Sequence, residues 1–202
     1  MAIFNRDIEY EEADAEFFPE GTLREATLSH DAEIQGVPCS GGRSAVFYAS
    51  GHLKLAMLSK PVVLDGVPCS TDQNVFFHEN GQLMNAELGA AHEFAGAVLP
   101  AGTRVTMNET GRLVEYSHEL SADQLIDGIP CGSPFWVWRY PSGRLSKAVL
   151  SAPVKIDGQD YQRGTELCFS ERGNVMRSLV LKVDFNKRYK QAVCGVFETP
   201  WQ

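Results

Sequence analysis

VFFHENGQLMNAELGAAHEFAGAVLPAG, from Val75 to Gly102, decides the fold, because close relatives of this stretch stand on both sides of it at a fixed distance. Aligned on the glycine of the first turn, the copies fall at Gly21, Gly51, Gly81, Gly111, Gly143 and Gly173, spaced 30, 30, 30, 32 and 30 residues apart. Two residues later come Leu23, Leu53, Leu83, Leu113 and Leu145, with Val175 in the sixth copy. A fixed period of this length is the signature of an array, in which each copy is one supersecondary unit that buries its apolar face against its neighbours.

Each copy carries two turn signals. The first reads FFPEG, FYASG, FFHENG, MNETG, RYPSG and FSERG. Proline at the second position of a type I turn, followed by glycine in the left-handed region, makes a three-residue hairpin loop with a bulge. The second reads IQG, LDG, FAG, IDG and IDG, ending at Gly36, Gly66, Gly96, Gly128 and Gly158. Asp-Gly between apolar residues is a two-residue type I′ hairpin. The segments between turns run to about a dozen residues of extended pattern, so the sequence predicts an antiparallel meander without helices.

Counting in twos gives the buried face. Phe17, Phe47, Phe77, Met107 and Phe169 share one position, and Ala45, Val75, Val105, Val137 and Leu167 precede them by two. The leucine after the turn is out of phase with the next apolar positions, Ala26, Ala56, Ala86 and Ala148, so a bulge or kink must lie between. The apolar alternation then reaches Ile34, Leu64, Phe94, Ile126 and Ile156, crosses the second turn, and ends at Cys39, Cys69 and Cys131. The fourth copy has two extra residues, and an even number preserves phase. Midway along the strands stand breakers such as Ser59-Lys60-Pro61 and Ser40-Gly41-Gly42, where each long hairpin should fold over. The expectation is therefore an all-β single domain over 1–202, a continuous meander folded into two layers. Six repeats span 15–183, between an acidic N-terminal cap at 1–14 and a C-terminal cap at 184–202.

With 44% hydrophobic and 22% charged residues and a net charge of −8, the composition is that of a globular protein and argues against nucleic acid or an anionic membrane as partner. No stretch of about 18 apolar residues occurs, so no membrane insertion is expected and a cytoplasmic location is the default. Cys39, Cys69 and Cys131 occupy equivalent positions without a C-x-x-C or a histidine in register, which reads as core packing rather than a metal site. The five histidines occupy five different repeat positions, and no nucleotide, zinc-protease or serine-hydrolase motif is present. Neither a cofactor nor a catalytic residue is expected, and the balance is against an enzyme.

The recurring aromatic-x-x-x-Gly-x-Leu hairpin, as in FFHENGQL and FYASGHL, resembles MORN repeats and the bacterial MORN-like repeat proteins over residues 15–183. The Gly-x-Trp core of true MORN units is absent and the period here is longer, so the hairpin logic is what carries over. The resemblance implies a scaffold or binding module and transfers no catalytic residue.

Outward strand positions should be polar, yet those before the first turn hold Tyr48, then Phe76 and His78, then Trp136, Trp138 and Tyr140. Exposed aromatics on a rigid sheet make recognition surfaces. Arg139 falls where other copies place Phe or Met, which suggests a distortion that re-aims the tryptophans. The sequence thus points to a non-enzymatic module binding an as yet unidentified protein partner through these six side chains. The alternative is a small-molecule or glycan binder, or a hydrolase, with a groove beside Trp138.

Overall fold

A computed structural model describes residues 9–94 and 96–181. The described residues are all-β apart from one short 3-10 turn at Glu12–Asp14, and no helix among them is long and apolar enough to cross a membrane. The chain divides into two compact units, Met1–Val114 and Glu115–Gln202. The strand Leu113–Glu119 contains the division.

In the first unit the strands Glu16–Phe17, Leu23–Thr27, Ser44–Phe47, Leu53–Met57, Asn74–Phe77, Leu83–Glu87 and Arg104–Met107 lie side by side in chain order, each antiparallel to the next. Between successive pairs the chain leaves this sheet to form a small two-stranded hairpin, Ala32–Ile34 with Val37–Cys39, Val62–Leu64 with Val67–Cys69, and His92–Phe94 with Ala97–Leu99. The second unit repeats the plan. Leu113–Glu119, Trp136–Arg139, Leu145–Val149, Thr165–Phe169 and Val175–Val180 form its meander, and Gln124–Ile126 with Ile129–Cys131 and Val154–Ile156 with Gln159–Tyr161 its hairpins.

Turn chemistry accounts for this alternation. At the first turn Tyr48 N–H donates to His52 O and Gly51 N–H to Tyr48 O, with Gly51 at φ 84, the geometry of a type I turn closed by a bulge. The pairing then steps from Phe47↔Leu53 to Val46↔Leu55, so Lys54 is the extra residue that puts Leu53 and Ala56 on one face. Both are buried. At the second turn both central residues are left-handed, Asp65 at φ 47 and Gly66 at φ 82, as a type I′ turn requires.

The chain folds over where the breakers stand. In the second unit Ile126 and Cys131 of a small hairpin form one cluster with Val137, Leu145, Ala148, Leu167 and Phe169 of the meander. In the first unit Ile34, Val37 and Cys39 of the small hairpin are buried, as are Ala45, Phe47, Ala56 and Leu58 of the meander. A buried Phe or Leu contributes about 1.5–3 kcal/mol, so each repeat brings its own share of the core. The two extra residues of the fourth copy lengthen Leu113–Glu119 and keep phase, since Leu120 beyond them is 1% exposed.

One member of the expected core departs. Phe17 is 53% exposed, because it lies on the edge strand Glu16–Phe17, and no small hairpin precedes that strand among the described residues to cover it. The described part of the N-terminal segment pairs with the first repeat, through a bridge between Tyr10 and Leu28 and a bond from Glu11 N–H to Thr27 O at 2.9 Å. The expected C-terminal cap, 184–202, lies outside the described residues.

Candidate functional site

The outward aromatics separate into two groups. Tyr48 Oη donates to Phe77 O at 2.8 Å, Tyr140 Oη donates to Phe169 O at 2.7 Å, and His78 Nε2 lies 2.9 Å from Met107 O. A carbonyl can only accept, so His78 Nε2 carries the proton. All three bonds span 29 residues, from one turn to the main chain beside the next turn. These side chains tether successive hairpins. Burial, reinforced by Glu79 and Glu109, raises the Tyr48 pKa, and burial with Glu115 and Glu171 raises that of Tyr140, so both phenols keep the proton they donate.

Phe76, Trp136 and Trp138 are half-buried. In the first unit the outward cross-strand row runs Glu25, Val46, Leu55, Phe76, Asn85, Thr106, so Phe76 is the aromatic centre of an apolar-to-polar stripe. In the second unit Trp138 pairs with Ser117 and Trp136 with Glu119, with the fully buried Val137 between them on the other face. The two indoles lie 6.5 Å apart between centroids, tilted by 49°. Arg139 does not re-aim them. Its Nη1 donates to Gly143 O at 2.9 Å, the pairing with Tyr116–Glu119 is regular, and the register shift between Trp138 and Arg139 on the other side is the bulge that the first turn of other repeats also carries.

Beside Trp138 lies a group that parity alone does not reveal. Lys147, its cross-strand partner, is 3% exposed and places Nζ 3.5 Å from the centre of the Trp138 ring, a cation–π contact. Burial lowers the Lys147 pKa, while the nearby Glu166 and Glu115 oppose the shift. Burial likewise raises Glu166, against Lys147 and Arg177, and raises Glu115, against a hydrogen bond donated by Ser146 Oγ and the charge of Lys147. His118, in a position where other repeats put alanine, is lowered by burial and by Arg139. The result is a desolvated lysine over an indole, coupled electrostatically to two carboxylates. Nothing in the repeat pattern signals it, because Lys147 and Glu166 lie on different strands, Leu145–Val149 and Thr165–Phe169.

The thiols of Cys39, Cys69 and Cys131 are free and buried. Each donates to the carbonyl two residues earlier, at 3.3, 3.4 and 3.4 Å, and burial pushes their pKa values up to about 12, 11 and 12. They are packing residues in the positions the repeat assigned them. Cys168 is in a disulfide. Among the described residues no group of three or more His, Cys, Asp or Glu side chains is placed to hold a metal ion.

Compared with known proteins, the chain matches no family model, no curated protein and no solved structure.

Proposed function

We propose that this chain is a non-enzymatic interaction module that binds a protein partner through the outward face of its meander, with Trp136 and Trp138 as anchors in the second unit. The observation that supports it is the arrangement of the outward aromatics. Tyr48, His78 and Tyr140 reach to the main chain of the next hairpin, and the two indoles keep outward parity, remain half-buried and lie side by side. Aromatic anchors of this kind dominate binding energies, at roughly 2 kcal/mol or more for each. The likeness of the turns to MORN repeats, whose members act as scaffolds, points the same way. The alternative, a small-molecule or glycan binder or a hydrolase beside Trp138, draws support from Glu115 and Glu166, whose pKa values burial raises near that ring.

The test is affinity capture from the native host with wild-type and Trp138→Ala baits of equal thermal stability. Loss of one captured protein with the variant supports the reading. Capture unchanged by Trp136→Ala and Trp138→Ala together would overturn it. A cytoplasmic location belongs to the same proposal, and fractionation tests it. Protein found outside the cytosol would fit the Cys168 disulfide instead.

A further inference from the structure

Over the strands Leu53–Met57, Asn74–Phe77, Leu83–Glu87 and Arg104–Met107 the outward face of the first unit is indented by a notch of ≈ 150 Å³. Phe76 and Met57 are the apolar members of its lining. The wall is polar in both senses. Glu87 and Asp72 bring carboxylates, which accept. Arg104 brings a guanidinium, whose Nε is 3.6 Å from Glu87 Oε2 across the strand pair, and which donates. Gln73 and Asn74 bring amides, which do both. Asn85 donates from Nδ2 to Thr106 Oγ1 at 2.9 Å, so it offers the notch an acceptor.

Asp72 is the informative member. The same bend position holds Gly42, Gly102 and Gly164 in other repeats, at φ 67, 79 and 80, and in each the glycine N–H donates to the leucine that closes the preceding strand, Leu28, Leu88 or Leu150. Asp72 makes the equivalent bond to Leu58 O at 3.0 Å from a φ of 56. Aspartate enters the left-handed region more readily than most residues, so this bend carries a carboxylate where Gly42, Gly102 and Gly164 carry no side chain. That carboxylate lines the notch.

We propose that this notch binds one neutral pyranose ring. Adjacent hydroxyls both donate and accept, so one ring can add bonds to carboxylates and amides together, while its C–H face meets the Phe76 ring. An anion would meet Asp72 and Glu87, and the charge of Arg104 is already offset by Glu87. The notch is small beside the roughly 300–1,000 Å³ of enclosing ligand sites, so it takes one ring and binds weakly. A free sugar and the terminal residue of a glycan present the same chemistry. The inference stands apart from the interaction surface at Trp136 and Trp138.

Saturation-transfer NMR on the full chain tests it, with the methyl glycosides of glucose, galactose, mannose and N-acetylglucosamine at millimolar concentration, and an oligosaccharide ending in whichever ring responds. Transfer to one glycoside is expected, and transfer confined to the terminal ring of the oligosaccharide would mark a glycan end as the source. Asp72→Gly installs the residue that other repeats use at this position, so it should fold as wild type and weaken binding by about tenfold. Trp138→Ala should leave the transfer unchanged. Absence of transfer from every glycoside, or transfer as strong in Asp72→Gly as in wild type, would overturn the proposal whatever becomes of the protein partner.

Discussion

The carboxylate of Asp65 accepts a hydrogen bond from the backbone N–H of Leu83 at 2.7 Å, eighteen residues on. The same bond recurs from Leu145 to Asp127 at 2.7 Å, and Gln35 takes the part in the first repeat, accepting from Leu53 N–H at 3.0 Å. The bulge at the first turn leaves this N–H outside the ladder, and the second turn of the preceding small hairpin supplies its acceptor. One aspartate thus shapes a type I′ turn and clamps the two layers together.

Asp65→Gly keeps the turn, because glycine accepts the left-handed conformation, but orphans the Leu83 N–H. A net loss of about 1 kcal/mol is expected, the lost bond outweighing the strain relieved. Asp65→Asn retains both the conformation and an acceptor and should cost less. Urea midpoints decide it, and a glycine variant as stable as wild type would show that the clamp contributes nothing.

Tyr140→Phe removes only the hydroxyl that donates to Phe169 O. It should destabilise the second unit by about 0.5–1.5 kcal/mol, the net worth of one hydrogen bond. Partner capture should survive, since the role assigned to Tyr140 is to join hairpins. If capture fails while stability holds, Tyr140 belongs to the contact surface after all.

The thiols of Cys39, Cys69 and Cys131, with pKa values of about 12, 11 and 12, hold almost no thiolate at neutral pH. A thiol reagent should label them slowly in the native protein and fast in denaturant. Rapid labelling of the native chain would contradict their burial.

Burial raises the Glu166 carboxyl above its ordinary 4.5. Between 4.5 and the raised value the native state holds a proton that the unfolded state has released, so this contribution is complete below 4.5 and is lost as pH rises through the folded value. His118, lowered from 6.5, acts with the opposite sign and loses stability as pH falls. Comparing wild type with Glu166→Gln at each pH cancels such background titrations. The comparison should move in favour of wild type as pH is lowered from neutral towards 4.5. A difference that stays flat would mean that Glu166 titrates alike in both states.

The turns, the bulge after each one and the buried stripe were legible because every signal recurs in six copies, so Phe47, Leu53 and Ala56 are confirmed by Phe77, Leu83 and Ala86. The parity of Trp136 and Trp138 was legible for the same reason. End effects were not, since Phe17 has the pattern of a core residue but lies on an edge strand and is exposed. Nor were the tethers from Tyr48, His78 and Tyr140, which join positions 29 residues apart that adjoin only once hairpins stack. The environment of Lys147 and Glu166 lay further out of reach, because period-two counting gives the face of a strand and not what lies over it. Asp72 left a signal that could have been read, an aspartate in register with Gly42, Gly102 and Gly164.

The bulge after each first turn also divides the freedom the sequence has to change. A residue on either side of it is committed to the core or to the outer surface by the alternation, whereas the extra residue belongs to neither register. Lys54, Met84 and Ser146 hold that place, a cation, a thioether and a hydroxyl, with no chemistry in common. Ser146 turns it into a donor for Glu115. Each repeat therefore carries one site where a new function can be tried without disturbing the frame that folds it.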